Sequence, residues 1–225
     1  MRCTAPLKTP RTEVFPGVWI DARRAVYLEK LGALVLADLH WGYAVSHRAA
    51  GNLLPVWGDE EIARQLSALL TDYSPREMLW LGDSLHTLAG REAAENFLCT
   101  KTMGVAVTII SGNHDKRWTE TSFADGSTHE IKQNALRENF FFHHGDCALT
   151  VPLGCIEVIG HHHPALSWRD GAGTRLKIPA LIASPHRLIL PAFSPWAAGT
   201  PWNDRLESQE TLWAVAPSRI FAVKW

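Results

Sequence analysis

The stretch GALVLADLH, from Gly32 to His40, is an apolar segment that becomes polar at its end. Its apolar part, Ala33 to Ala37, is too short for a typical helix and is rich in Val and Leu, so it predicts a buried strand. Asp38 and His40 follow directly. The stretch therefore predicts a core strand whose carboxyl end carries side chains able to bind a ligand.

The segments that follow alternate between strands and helices. EMLWLGD (77–83) and GVAVTIISGN (104–113) predict a second and a third strand, each ending in polar residues. The segment 58–75 has an acidic first turn and apolar residues at helical spacing, and 91–101 predicts a second helix. This alternation is typical of a largely parallel sheet covered by helices, with ligands at the carboxyl ends of the strands.

Beyond Thr119 the pattern changes. It predicts a helix near His129 to Glu138, then short strands at Arg175 to Ala183 and His186 to Leu190. Because connections this short favour antiparallel neighbours, we expect a second sheet. The 225 residues contain no repeat and no long linker. The sequence thus predicts an α/β fold, a sandwich of two sheets flanked by helices, in a single domain spanning residues 1–225.

Composition narrows the class of protein. The formal net charge is −1, with 46% hydrophobic and 20% charged residues, so no footprint of tight, salt-dependent nucleic-acid binding is present. The apolar runs are too short to cross a membrane, and the first residues contain no apolar signal region. The four cysteines show no CxxC spacing and are expected to be free thiols. We therefore expect a cytoplasmic location without membrane association.

The polar clusters at the strand ends can bind metal ions. Carboxylate, imidazole and amide oxygen together suit borderline cations such as Mn²⁺, Fe²⁺ or Zn²⁺. Seven candidate ligands exceed what one ion needs, so we expect two ions that share a bridging carboxylate. The candidates are Asp38, His40, Asp83, Asn113, His144, His161 and His163.

The clusters DLH, GD, GNHD, HGD and GHHH occur in that order between Asp38 and His163. In this order they resemble the motifs of the calcineurin-like metallophosphoesterases. The resemblance implies one metal ion held by three residues: Asp38, His40 and His163. It implies a second ion held by Asn113, His144 and His161, with Asp83 bridging the two. His162 would then point elsewhere.

The resemblance also implies the chemistry, which is hydrolysis of a phosphate ester. Two cations about 3.5–4 Å apart would lower the pKa of a bridging water and polarise phosphorus for in-line attack by hydroxide. His114 would stabilise developing charge or protonate the leaving group, and Asp115 would fix its tautomer and orientation. Lys116 and Arg117 either hold phosphate or are solvated. Mn²⁺ is the expected metal, with Fe²⁺, Zn²⁺ or Ni²⁺ as alternatives.

Four further segments are similar to those of the bacterial ligase-associated DNA damage response endonucleases: VLADLHWGY, LPVWGDEEIARQLSALL, LWLGDSLH and LILPAFSPWAAG. Tyr43 stands where that pattern often has Lys, and the last segment matches loosely. This resemblance implies a DNA phosphodiesterase or endonuclease in DNA repair. Its implied pathway partners are an ATP-dependent DNA ligase, a helicase and a metallo-β-lactamase-type nuclease.

Two other functions remain open from the residues. The near-zero charge favours a phosphomonoesterase, or a phosphodiesterase acting on a cyclic nucleotide or another small molecule. A non-catalytic metal-binding scaffold could dispense with His114, which is present here. The natural substrate and the choice between single- and double-stranded DNA are left undetermined.

Several individual residues have two interpretations. His86 is either a partner of the site or a residue without a role, and His143 is an alternative to its neighbour His144 as a ligand. The ten tryptophans include Trp196 and Trp202 in a C-terminal loop. They either stack on bases or pack in the core and anchor the loop.

Overall fold

A computed structural model describes residues 9–122, 128–169 and 171–223, which include two facing sheets, a two-stranded ribbon and three α-helices. The N-terminal sheet has six strands within these residues. They are β1 (Arg11–Phe15), β2 (Val18–Asp21), β3 (Val26–Leu28), β4 (Ala33–Leu36), β5 (Glu77–Leu81) and β6 (Ala106–Ile110), in that spatial order. Strands β1 to β4 are antiparallel neighbours, whereas β4, β5 and β6 are parallel. The three predicted strands are thus confirmed as a parallel unit, and β1 to β3 extend it.

The helices cover the outer face of this sheet. Helix α1 spans Tyr43–Ala49, α2 spans Gly58–Tyr73 and α3 spans Arg91–Lys101. Helix α2 buries Ile62, Leu66 and Leu69, which share one helical face, and it packs with α3 against the sheet in a common hydrophobic cluster. The sequence predicted α2 and α3 correctly. The short helix α1 was not predicted.

The C-terminal sheet lies opposite and contains nine of the described strands. They are β9 (Asn134–Arg137), β10 (Phe140–His143), β11 (Ile156–Ile159), β12 (Pro164–Arg169), β13 (Arg175–Ser184), β14 (Arg187–Ile189), β15 (Thr200–Pro201), β16 (Thr211–Ala216) and β17 (Arg219–Val223). Strands β10, β11 and β14 are parallel, whereas β13 is antiparallel to β14 as its short connection predicted. Strands β7 (Glu120–Ser122) and β8 (Thr128–Glu130) form a separate ribbon.

The predicted helix near His129 to Glu138 is wrong. This region contributes the end of β8 and all of β9, which pairs antiparallel with β10. Glu138 adopts a left-handed backbone with φ of 50°, so the chain reverses within two residues. Burial alternates along β9, where Ala135 is buried and Leu136 is 49% exposed. Pairing with the apolar strand β10 therefore outweighs the local helical pattern.

The two sheets enclose a common hydrophobic core. Val35 and Leu79 of the N-terminal sheet lie in one cluster with Phe142 and Val158 of the C-terminal sheet, all buried. Each large apolar side chain buried in this way stabilises the fold by about 1.5–3 kcal/mol. The sheets also meet at one edge, where the backbone N–H of His161 donates to the Asp38 carboxylate at 3.1 Å. This packing brings the carboxyl ends of β4 and β11 together.

The sequence also predicted that no segment crosses a membrane and that the cysteines are free thiols. Across the described ranges, the helices are all too short or too polar to cross a membrane. Cys147 and Cys155 are free cysteines, while Cys3 lies outside the described residues.

Candidate metal centre

The candidate ligands follow the ends of five strands that meet at this edge. The loops after β4 and β5 are joined by backbone hydrogen bonds from Asp38 N to Gly82 O (3.1 Å) and from His40 N to Asp83 O (2.9 Å). These bonds fix the two loops to each other. The backbone positions of Asp38, His40 and Asp83 are therefore fixed relative to one another.

An unusual backbone conformation is shared by most of the candidate ligands. Among the described residues, eight non-glycine residues have left-handed φ angles, and five of them are candidate ligands. These are Asp38 (57°), His40 (52°), Asp83 (47°), His161 (62°) and His163 (46°). Such conformations cost of the order of 1–3 kcal/mol each and persist where the surroundings dictate them, often at functional sites. The fold therefore stores strain at this edge.

The first group of potential ligands consists of Asp38, His40 and His163. One donor atom from each lies within 4.8 Å of the others, and His163 Nε2 is 3.1 Å from Asp38 Oδ1. Burial lowers the pKa of His40 to about 4, so this imidazole is neutral and carries a lone pair for a cation. Its buried Nδ1 has no hydrogen-bond partner among the described residues.

The second group consists of Asp83, His144 and His161, whose donor atoms also lie within 4.8 Å of one another. His144 Nδ1 is 2.8 Å from the Leu81 carbonyl and therefore donates to it, which leaves Nε2 as the ligand atom. This Nε2 is 3.4 Å from Asp83 Oδ1 and 3.2 Å from His161 Nδ1. The amide oxygen of Asn113 lies 3.3 Å from it and adds an amide donor to the group.

The charges in this group suit a cation. Burial raises the pKa of Asp83, but its hydrogen bond to His144 and the His144 charge outweigh burial and lower the value to about 2. Burial lowers the pKa of His144, but the bond to Asp83 and the charges of Asp38 and Asp83 raise it to about 9. In the absence of an ion, a proton on His144 thus offsets one of the two carboxylate charges and leaves the other. The donor types, the unpartnered His40 Nδ1 and this negative charge together fit divalent metal ions.

Gly112 illustrates how tightly the second group is packed. A Cβ at this position would lie 2.2 Å from Asp83 Oδ1 and 2.4 Å from the Asp83 nitrogen. Atoms cannot approach so closely, so the GNHD loop reaches Asp83 only because residue 112 has no side chain. The glycine of this motif is a requirement of packing.

His114 lies beside Asp83 at the mouth of the site. Its backbone N–H donates to Asp83 Oδ1 at 2.9 Å, and its Nε2 is 3.9 Å from Asp83 Oδ2. Its Nδ1 is 2.8 Å from the carbonyl of His86, which can only accept, so Nδ1 carries the proton. The His114 side chain is 34% exposed, and its Nε2 can meet a bound ligand.

The role expected for Asp115 must be corrected. Its buried carboxylate accepts hydrogen bonds from the backbone N–H groups of Ser84, Leu85 and Gly112, at 2.8–3.1 Å. The partner that fixes the tautomer of His114 is instead the carbonyl of His86. Asp115 therefore fastens the loop after β5 to the loop after β6. Burial raises its pKa to about 6 despite these three bonds.

The structure separates the remaining candidates. His143 Nε2 bonds to Glu157 at 2.9 Å, outside both ligand groups. The His162 ring contacts Trp202, which is 92% buried and packs in the core, so Trp202 offers no exposed stacking face. Lys116 and Arg117 are exposed.

Sequence reasoning missed a series of rings beside the first ligand group. His86 lies 5.5 Å from His40 and 5.1 Å from His114 between ring centroids, and the donor atoms of these three histidines form a third compact group. Tyr43 and His47 then pack against His86 at 4.5 and 5.3 Å. Their spacing of four residues, which puts both on one helical face, is the signal that would have indicated this contact.

The fold of the chain is similar to that of solved structures. The nuclease MPE of Pseudomonas putida has a TM-score of 0.74 and 22% sequence identity, covering 96% of this chain and 100% of that chain. YfcE, a phosphoesterase from E. coli, has a TM-score of 0.45 and 16% identity, covering 85% of this chain and 97% of that one. No protein-family model and no curated protein matches the sequence. The likeness to the nuclease, which spans both chains, confirms the predicted α/β fold of two sheets flanked by helices.

Proposed function

We propose that this protein is a metal-dependent phosphoesterase that hydrolyses phosphodiester bonds, with DNA as its substrate. The observation that carries the proposal is the meeting of two ligand groups, Asp38 with His40 and His163 and Asp83 with His144 and His161, at one edge of this fold. The fold is also that of a nuclease, MPE of Pseudomonas putida.

The two groups would hold two divalent ions, with Asn113 completing the second group and Asp83 between the ions. When bound, the ions would supply Lewis acidity for the phosphate and lower the pKa of a water molecule. Mn²⁺ is the proposed metal. The chain itself supplies rigid donors, because the strained ligand backbones and the Asp115 hydrogen bonds resist rearrangement.

His114 is the residue proposed to handle the proton. Because its Nδ1–H is committed to the His86 carbonyl, its Nε2 is the atom that exchanges protons or donates to phosphate. When Nε2 carries a proton, it can be transferred to a leaving alkoxide. Asp115 acts as a positioning residue for the loop that carries His114.

The biological setting follows from the sequence resemblance. We propose a role in DNA repair in the cytoplasm, in a pathway with an ATP-dependent DNA ligase, a helicase and a metallo-β-lactamase-type nuclease. The similarity of the ADLH, LPVWGDEE and LPAF segments to ligase-associated endonucleases supports this proposal.

The test is hydrolysis by the purified protein with added Mn²⁺. We expect cleavage of end-labelled DNA and of bis(p-nitrophenyl) phosphate, and loss of both activities after chelation with EDTA. Hydrolysis of p-nitrophenyl phosphate alone would instead indicate a phosphomonoesterase. Hydrolysis of small diesters without cleavage of DNA would indicate that the substrate is a small molecule. Binding of Mn²⁺ without any turnover would indicate a scaffold.

A further inference from the structure

We propose that an aromatic wall beside the metal centre binds one nucleobase of the substrate by stacking, an inference that rests on the proposed function. The wall consists of Tyr43, His47, His86, Trp57 and Trp196. It extends the proposed activity by assigning a subsite for the base to residues outside the two ligand groups proposed to hold the ions.

The wall is continuous with the metal centre at one end. His86 contacts the candidate ligand His40, and Tyr43 packs against His86 with ring centroids 4.5 Å apart. Tyr43 in turn stacks on Trp196, with an interplanar angle of 9° and a centroid distance of 5.8 Å. A group attached to a phosphate at the metal centre therefore meets aromatic surface in this direction.

The outer end of the wall is held in place by Trp196. This ring contacts Trp57 at 4.9 Å as well as Tyr43, so it connects helix α1 to the start of helix α2. A Cβ on Gly58 would lie 2.0 Å from Trp196 Nε1, so the ring reaches this position only because residue 58 is glycine. The wall is thus a packed arrangement and not a chance cluster of mobile side chains.

The wall exposes aromatic surface that no described residue covers. Trp57 is 44% exposed, and its neighbours Val56 and Leu53 are 61% and 93% exposed. Single exposed apolar residues are ordinary, but several in one short stretch at the rim of a site indicate a binding surface.

The chemistry of the wall favours a planar aromatic group over a second phosphate. The wall itself carries no lysine or arginine, and the guanidinium of Arg48 on helix α1 donates to the Leu54 carbonyl at 2.9 Å. Aromatic rings stack on nucleobases, with about 1–3 kcal/mol per base and little dependence on sequence. A phosphodiester held at the metal centre and a base stacked on the wall are both parts of a nucleic-acid strand.

The decisive measurement is the preference for DNA with bases over DNA without them. Fluorescein-labelled oligothymidylate and an abasic oligomer of the same length are titrated by anisotropy in EDTA, which prevents turnover. We expect the parent protein to bind oligothymidylate about 5–150-fold more tightly, which is 1–3 kcal/mol for one stacked base. Trp57→Ala should abolish this preference, and Trp57→Phe should largely retain it.

The matched control is Trp168→Ala. Trp168 is 59% exposed on β12, five residues beyond His163 and about 16 Å from it at the rise of a strand. The proposal is overturned if both oligomers bind equally, or if the two alanine variants change the preference alike. Hydrolysis of bis(p-nitrophenyl) phosphate with Mn²⁺ is measured in parallel. Hydrolysis without base preference would contradict the role of the wall and support the phosphoesterase function. Base preference without hydrolysis would support the wall and contradict the phosphoesterase function.

Discussion

The metal centre and the aromatic wall adjoin each other and are built in opposite ways. The metal centre buries polar groups, including Asp38 and His144 at 0% and 1% exposure, on strained backbone at strand ends. The wall includes half-buried rings on helix α1 and the exposed ring of Trp57 on the loop before α2. Buried charge needs partners that are held rigidly, whereas stacking needs only an accessible flat surface. This difference agrees with the proposals that the first region carries out chemistry and the second recognises the substrate.

The largest expected effect comes from the metal centre. Asp83→Asn removes the carboxylate charge that is proposed to lie between the two ions, so hydrolysis of diesters should fall by about 1,000-fold or more, the scale seen when a central catalytic group is lost. The exposed Asp204→Asn is the matched control and should keep its activity. Rates with bis(p-nitrophenyl) phosphate and added Mn²⁺ measure the effect. A variant Asp83→Asn with half the parent rate would contradict the proposed centre.

A smaller loss of activity is expected from substitution of His114, the residue proposed to protonate the leaving group. His114→Gln should lower kcat by about 100-fold or more for DNA, because loss of an acid or base group costs 10²–10⁴-fold. With p-nitrophenolate, which leaves without a proton, the loss should be much smaller. His186→Gln, at an exposed position, is the control. Equal losses on both substrates would exclude a role in protonating the leaving group.

Packing in the metal centre gives a third comparison. Gly112→Ala places a Cβ against Asp83 and should destabilise the protein by about 1–3 kcal/mol, as overpacking does, while weakening Mn²⁺ binding. Gly154→Ala has open space but a positive φ, so it should lose stability and keep Mn²⁺ binding. Urea unfolding and calorimetric Mn²⁺ titration separate the two effects. Unchanged binding in Gly112→Ala would show that the contact with Asp83 is dispensable.

The smallest effect concerns pH in the metal-free protein. The pKa of His144 is raised from 6.5 to about 9, so its contribution to stability is fully present below pH 6.5 and lost as pH rises through 9. This loss should be of the order of 1–3 kcal/mol in EDTA. With Mn²⁺ bound, His144 is neutral at all these pH values and the loss should disappear. Urea unfolding at pH 6.5 and pH 9.5 measures this loss. If the free energy of unfolding changes equally between the two pH values with and without Mn²⁺, the coupling is refuted.

The difference between the two regions also explains what the sequence revealed. The strands β4, β5 and β6 and the helices α2 and α3 were predicted, because apolar periodicity and turn residues are local signals. The prediction of a helix near 129–138 was wrong, because pairing of β9 with β10 outweighs the local helical pattern. The wall was missed because its rings come from residues 43 to 196 and their contacts depend on loop paths.

The sequence by itself determined the donor types, their order along the chain and their position after strands, since these depend on residue identity and short-range pattern. Only the tertiary structure decided which atoms face each other. In the tertiary structure, the His86 carbonyl fixes the tautomer of His114, and Asp115 accepts hydrogen bonds from three backbone N–H groups. Trp57 is exposed and packs against Trp196. These contacts join residues far apart in the chain, and their geometry is fixed by the packing of two sheets and their loops, which no local pattern encodes.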